Sequence, residues 1–313
     1  MCTYNGSRFL DEQLSSIERQ ERPPDEMVVC DDGSGDDTVA KLQEFASRSS
    51  FPVRIVVNEN NLGTSRNFEK AISLCASDII ALSDFDDIWY GSRLQKTEEA
   101  FVRHPSAGVV FGDGDIIGPD SSLLGSGLWK SAHFGRLQRF QFRSHNATRA
   151  LLRHNVVTGA TMAFRSSLRE MVLPLPDIWI HDGWIALIAS FFSDIVALNQ
   201  PLIRYRKHPD QKTGFLYGLV PELARAGVTS HSHYYRQVQQ YESAYERLLG
   251  HVKTEKQKKM MKWITAKIRH SSVRAHMPVH KVARIPFVLQ EFATMRYTLY
   301  SRGLLSAWRD LLL

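Results

Sequence analysis

Apolar positions along this chain recur with two periods, and the period switches at almost every glycine- or acid-rich stretch. Phe9, Leu10, Leu14 and Ile17 fall at helical spacing and predict a helix over residues 8–19. The run Met27-Val28-Val29-Cys30 then reads as a strand, Val39, Leu42 and Phe45 as a second helix, and residues 53–57 as another strand. Phe68, Ile72 and Cys75 mark a third helix, with the buried strand Ile79-Ile80-Ala81-Leu82 behind it. A strand is also expected before the Asn5-Gly6 turn, yet residues 1–3 are all that is available for it. Strand alternates with helix, which predicts an α/β fold: a mostly parallel sheet flanked by helices. Further strands are expected at 107–111 and near 201–206, with a helix over 185–192 between them. Beyond about residue 214 the pattern is helical, carried by Tyr234, Val238, Tyr241 and Tyr245. The division that follows is an α/β domain over 1–214 and a helical extension over 215–313.

Two of these strands stop at carboxylates. The strand at 79–82 runs into Ser83-Asp84-Phe85-Asp86-Asp87, and the strand at 27–30 into Asp31-Asp32-Gly33-Ser34-Gly35-Asp36-Asp37-Thr38. Carboxylates held close together repel and raise one another's pKa. A hard divalent cation removes that penalty, and Mg2+ or Mn2+ prefers oxygen ligands. In open α/β sheets the ligand crevice lies just outside the carboxyl ends of the strands. Asp-x-Asp at 84–86 is therefore a candidate site for a metal that bridges a diphosphate. Asp36 and Asp37 read as helix caps beside Thr38. The glycines around Asp113 and Asp115, with Pro119, predict a hairpin turn.

Four motifs occur in order within the first ninety residues: Cys2-Thr3-Tyr4-Asn5-Gly6, the run over 31–38, Asn61-Leu62-Gly63 with Arg66-Asn67, and Ser83-Asp84-Phe85-Asp86-Asp87. Together they resemble the nucleotide-sugar-binding half of an inverting family 2 glycosyltransferase with the GT-A fold. The resemblance implies a nucleotide-sugar half over about 1–117 and an acceptor half over 118–214. Thr3 and Tyr4 then match residues that pack on the base, and Asp32 the acid that accepts a pyrimidine imide N–H. Arg66 matches a basic residue near base or phosphate, and Asp84 the acid facing the ribose. Asp86 matches the direct ligand of Mg2+ or Mn2+, with Asp87 behind it. Further on, Asp182 in Ile180-His181-Asp182-Gly183-Trp184 matches the general base, and His208 a histidine that completes the metal shell.

The reaction implied is transfer of a sugar from a UDP- or dTDP-linked donor to a hydroxyl of a glycan or lipid-linked acceptor, with inversion. Bacterial enzymes of cell-surface polysaccharide synthesis, rhamnosyltransferases among them, are similar overall. Phe85 departs from the small or polar residue common at its position and is expected to narrow the donor pocket. The first strand of the sheet is largely missing, which is expected to expose two sheet edges and to reflect a start site set too late or a trimmed chain. That gap keeps a non-catalytic, transferase-like binding protein as an alternative. A sugar nucleotidyltransferase is a further one, for which Asn5-Gly6-Ser7-Arg8 is a poor triphosphate loop.

Composition adds the setting. Hydrophobic residues at 43% and charged ones at 23% are ordinary for a globular protein. Three cysteines without metal-ligand spacing predict reduced thiols and a cytoplasmic location. No signal-peptide pattern opens the chain, and the longest apolar stretch, 184–198, is 15 residues with Ser190, Ser193 and Asp194 inside it. That is too short to span a bilayer. Of the net charge of +6, residues 253–284 hold ten Lys or Arg against Glu255, about +9, which leaves about −3 elsewhere. With the amphipathic tail of Leu304, Leu305, Trp308, Leu311 and Leu312, this predicts peripheral binding to an anionic membrane surface and no nucleic-acid partner.

Overall fold

The computed structural model describes residues 1–209, 211 and 230–312. Strands β1 (Cys2–Thr3), β2 (Met27–Asp31) and β3 (Val53–Val57) form a parallel sheet in that order. The second sheet contains β4 (Ile79–Ala81), β5 (Ile88–Trp89), β6 (Ala107–Ile117), β7 (Leu123–Ser126), β8 (Ala163–Arg165) and β9 (Asp194–Arg206). Its order is β4-β8-β6-β9-β5, with β7 paired to β6. Here the parallel expectation meets its limit. The β6–β9 pair is parallel, while β4–β8, β6–β8, β5–β9 and β6–β7 are antiparallel. Hydrophobic runs reveal that a strand is buried, not which neighbour it takes or in which direction.

Helices α1 (Ser7–Glu18), α2 (Thr38–Arg48), α3 (Thr64–Leu74) and α4 (Arg93–Arg103) connect the early strands. Leu10, Leu14 and Ile17 of α1 share a core with Leu42 and Phe45 of α2 and with Met27 and Val29. Between β7 and β9 lie α5 (Leu128–Ser131), α6 (Arg136–Arg143), α7 (Ala147–Arg153), α8 (Arg169–Val172) and α9 (His181–Phe192). Then come α10 (Ser230–Leu249), α11 (Glu255–Ala275), α12 (Lys281–Ala293), α13 (Arg296–Tyr300) and α14 (Leu304–Leu312). The expected boundary at 214–215 lies outside the described residues. One apolar cluster joins Ile72, Phe111, Trp184 and Leu187 to Tyr241, Leu248, Met260 and Ile264, so the C-terminal helices share the core of the α/β part.

Three expectations change in detail. Gly112 to Asp115 is not a turn: β6 runs straight through it and turns at Gly118, whose N–H donates to the Ser122 carbonyl at 2.8 Å. Its glycines serve close approach instead, because a Cβ at Gly112 would meet the Leu202 side chain at 2.5 Å. The basic stretch is not one exposed patch, since Lys267, Arg274 and Arg284 are buried. Finally, β1 is two residues long, and beyond it residues of β2 and β4, in different sheets, line a cavity of about 680 Å³ with Met1, among them Met27, Val28, Ile79, Ile80 and Ala81. Met1 and Cys2 close its end, the Met1 ammonium donating to the Val28 carbonyl at 2.7 Å and the Cys2 N–H to the Ser83 carbonyl at 3.2 Å.

Candidate active site

A second cavity, of about 170 Å³, sits at the carboxyl ends of β1, β2 and β4. It is lined by Thr3, Tyr4, Asp32, Thr64, Asn67, Phe68, Asp84, Phe85, Asp86, Tyr205, His208 and Gln211. It is smaller than the cavity beside Met1, yet it is where carboxylates converge with hydroxyl, amide and imidazole groups. Polar convergence, rather than volume, identifies a site of chemistry.

Asp32 is buried and does two jobs at once. Its carboxylate accepts hydrogen bonds from Asn58 Nδ2 at 2.9 Å, Leu62 N at 2.8 Å and Gly63 N at 2.9 Å, which ties the 58–63 loop over β2. A carboxylate has about four acceptor positions, so one is left toward the cavity. Thr3 gives its hydroxyl to Asp31 Oδ2 at 2.7 Å, while Tyr4 stays 41% exposed at the rim. Phe85 lies on Gly6, where a Cβ would stand 2.5 Å from the ring, so its side chain takes up cavity wall at no cost in backbone strain.

The loop after β4 carries the electrostatics. Burial, then the charges of Asp86 and Asp182, push the Asp84 carboxyl up to about 7. Burial, then Asp86 and Asp84, push Asp87 upward as well, and its Oδ2 has no partner among the described residues. Asp86 Oδ2 lies 3.0 Å from His208 Nε2, a histidine that is itself buried against the ring of Phe9. Arg206, fully buried, clamps this loop from β9. Its Nε donates to the Asp86 carbonyl at 2.7 Å, its N–H to Asp87 Oδ1 at 3.0 Å, and its guanidinium also reaches Glu12. Arg93 lies on Trp89 at 3.6 Å and donates to the Leu82 carbonyl at 2.8 Å, and burial lowers its pKa to about 9.

These groups fit a divalent cation. Among the described residues no three His, Cys, Asp or Glu side chains form a ready-made ligand cluster. The chain thus offers Asp86 and His208, one oxygen and one nitrogen donor already in contact. Mg2+ commonly takes one or two protein ligands and fills its remaining positions with water and phosphate oxygens. The crowded, buried acids of the same loop are what a positive charge there would relieve.

Asp182 lies in the first turn of α9. Asn155 Nδ2 donates to its Oδ1 at 3.1 Å and Gly159 N to its Oδ2 at 3.0 Å, so the carboxylate is held in one orientation. Its charge acts on Asp84 through space, although Asp182 is not itself among the residues that line the cavity. His181, beside it, is buried on the Phe68 ring with centroids 4.0 Å apart, and neither ring nitrogen has a partner among the described residues. A Cβ at Gly159 would come within 2.7 Å of His181 Nε2, so glycine is required there.

Of the residues singled out in the sequence, Thr3, Tyr4, Asp32, Asp84, Asp86 and His208 line one cavity. Arg66 stands apart: its guanidinium is committed to Asp177 at 2.7 Å and Glu69 at 3.0 Å. Asp113 and Asp115 are also engaged, accepting from Trp129 N at 2.9 Å and from the Tyr90 hydroxyl at 2.5 Å respectively. Sequence reasoning missed Tyr205, Gln211, Thr64 and Phe68 as lining residues, and Asn155 and Gly159 as the pair that orients Asp182. Asn67 also lines the cavity and carried a signal, since it lies inside a motif already singled out.

Comparison with known proteins adds the following. The sequence profile of glycosyl transferase family 2 matches residues 1–172. An uncharacterized glycosyltransferase of Nostoc sp. is 26% identical over 215 residues, which are 66% of this chain and 63% of that protein. The dTDP-rhamnosyl transferase RfbG of Shigella flexneri is 33% identical over 106 residues, 33% of this chain and 37% of that protein. The chain thus spans less than two thirds of the length of either relative. In fold it is similar to the S. aureus TarS 1-349 crystal structure in complex with UDP-GlcNAc, with TM-score 0.59, 14% identity, and 99% of this chain and 86% of that one covered. It is likewise similar to the mannosyltransferase PcManGT of Pyrobaculum calidifontis in complex with GDP-Man and Mn2+, with TM-score 0.54, 17% identity, and coverage of 99% and 83%. These neighbours are GT-A glycosyltransferases, and the fold here is of that type, with a helical C-terminal region.

Proposed function

The chain belongs to glycosyl transferase family 2, and from that premise we propose that it moves a sugar from a nucleoside-diphosphate donor to an acceptor hydroxyl with inversion. The observation that carries this reading is the meeting of Asp84, Asp86 and His208 in one cavity, with the separately anchored Asp182 carboxylate close enough for its charge to act on Asp84. The donor is UDP- or dTDP-linked and the acceptor a glycan or lipid-linked sugar of cell-surface polysaccharide synthesis, a reading supported by the dTDP-rhamnosyl relative and the UDP-GlcNAc-bound neighbour.

The base of the donor lies on Tyr4 and Thr3, with the remaining acceptor position of Asp32 for its imide N–H and Asp84 for the ribose. Asp86 and His208 would hold Mg2+ or Mn2+, which when bound supplies positive charge against the leaving diphosphate. Asp182 accepts the proton of the acceptor hydroxyl while that oxygen forms its bond to the anomeric carbon. The bond from that carbon to the diphosphate oxygen breaks on the opposite face, and the nucleoside diphosphate departs with the electron pair. Asn155 and Gly159 keep the carboxylate aimed, and holding both substrates together supplies much of the remaining rate.

Calorimetric titration with UDP, dTDP and GDP, with and without Mn2+, tests this. One of the uracil or thymine nucleotides should bind in a Mn2+-dependent manner, and Asp86→Ala should weaken that binding at least tenfold. Glu44→Ala, on the exposed face of α2, should leave it unchanged. Equal, metal-independent binding by the Asp86→Ala chain would remove Asp86 and the cation from the reading.

A further inference from the structure

The C-terminal helices are built with their polar groups turned inward. On α12 the buried residues are Arg284, Val288 and Glu291, one helical stripe, and on α14 they are Ser306, Ala307 and Asp310. Each buried charge is satisfied inside the protein. Asp310 accepts from Arg274 Nε at 2.6 Å and from the Tyr297 hydroxyl at 2.8 Å. Glu291 accepts from His270 Nδ1 at 2.7 Å and Arg296 at 2.6 Å, and Arg284 donates to the Asp310 carbonyl at 3.0 Å.

The surface shows the reverse. Val282, Ile285, Leu289 and Phe292 form a second stripe on α12 that faces solvent, with Val282 79% and Leu289 62% exposed. On α14, Leu304 and Leu305 are each 72% exposed and Trp308 is 64% exposed. Eleven of the twenty-two exposed large apolar side chains among the described residues fall within residues 279–312, so they are concentrated rather than scattered. A surface helix in water normally places its apolar stripe on the core, and concentrated exposed apolar groups mark an interaction surface.

Charge decides what covers it. The acids in residues 277–312 are Glu291 and Asp310, and both are buried. Lys281 is exposed and Arg296, Arg302 and Arg309 are partly so. The face is therefore apolar and cationic, with no exposed acidic side chain among residues 277–312. A second copy docked symmetrically would set like charge against like. An anionic lipid surface answers both properties: apolar side chains enter the boundary of the acyl region, and Lys and Arg meet headgroup phosphates. We infer that the outer face of α12 and α14 is a docking surface for an anionic bilayer, which the chain binds without spanning. No helix among the described residues is long and apolar enough to cross a membrane.

The inference is independent of the catalytic reading, because its test contains no sugar donor. The full chain is mixed with phosphatidylcholine vesicles with or without phosphatidylglycerol, at low and high salt, and bound protein is recovered by flotation. Binding should require phosphatidylglycerol, weaken with salt, and fall at least tenfold in the double variant Leu304→Ser, Leu305→Ser and in Trp308→Ser. Val102→Ser removes an equally exposed side chain, 72%, from α4 and should bind as the parent does. Brominated acyl chains should quench the fluorescence of the parent and not of Trp308→Ser, a readout that stands even where the double variant fails to fold. A chain that ignores anionic vesicles at low salt overturns the proposal. So does a dimer in free solution that the leucine variants convert to monomer while vesicle binding persists.

Discussion

Asp182 stands where two readings of one residue meet. An acid at the start of a helix is ordinarily a cap, yet here its oxygens take Asn155 and Gly159 from a neighbouring loop, and its charge acts on Asp84. Asp182→Asn removes the proton acceptor at nearly constant volume and sets one amide donor against an existing donor, at a cost of roughly 1–3 kcal/mol of stability. Turnover should fall by roughly 10²–10⁴, the usual contribution of a general base, while calorimetric donor affinity stays within about a few-fold. Near-normal turnover would move the base elsewhere. At this scale the sequence was informative where residue type and strand end coincided, as at Asp32, Asp84 and Asp86. It was silent on Asn155, Gly159 and Arg93, whose roles arise from segments brought together only by folding. Arg66 shows the converse: it lies inside a matched motif, but Glu69 one turn away and Asp177 claim its guanidinium.

Elements were legible where each carries its own period. The helices and strands of the first ninety residues appeared with nearly their final bounds, because apolar runs and turn residues alternate there. The mixed second sheet did not, since strand direction depends on partners far along the chain, and Gly112 and Gly114 look alike as turn formers and as close-packing residues. The outward apolar stripe of α12 was hidden for the same reason. Periodicity shows that a stripe exists, and only the packing of Arg284 and Glu291 decides which stripe is inside. A consequence at this scale concerns α6 and α7. His154, closing α7, meets Gln138 Nε2 of α6 at 3.3 Å and the Ala132 carbonyl at 3.1 Å, and burial holds its pKa down at about 4. An unfolded histidine titrates near about 6.5. Between those values the unfolded chain binds the extra proton, so stability is complete above about pH 6.5 and declines as pH falls toward about 4. Melting temperatures measured across that window should decline less steeply in His154→Gln, and an unchanged slope would show that the imidazole is solvated.

At the scale of the molecule, the pattern alone suggests a catalytic domain with an attached helical extension, and the packing argues for closer coupling. Trp179 Nε1, ahead of α9, donates to the Gln240 carbonyl of α10 at 3.0 Å, and Arg247 of α10 donates to the carbonyls of Met171 and Leu173 at 2.9 and 3.0 Å. Arg153 of α7 reaches the Ser301 carbonyl at 2.9 Å. Tyr241, Leu248 and Ile264 fill the cluster that also contains Trp184, Phe111 and Ile72. Two units that could fold alone would each keep a core, whereas here α10 and α11 complete the core of the elements before them, and α12 to α14 add a small cluster of Val288, Tyr297 and Ala307 with Met277. Heat and urea should therefore unfold the chain in one transition, with tryptophan fluorescence and far-ultraviolet dichroism changing together. Leu248 is fully buried, and Leu248→Ala should cost about 2–5 kcal/mol. Because the core is shared, that loss should lower the melting midpoints of the α/β part and of the C-terminal helices by the same interval, although Leu248 is far in sequence from every residue that lines the cavity of Asp84 and Asp86. A variant that melts its C-terminal helices early, while the α/β part keeps its original midpoint, would separate the two and return the extension to the status of an appendage.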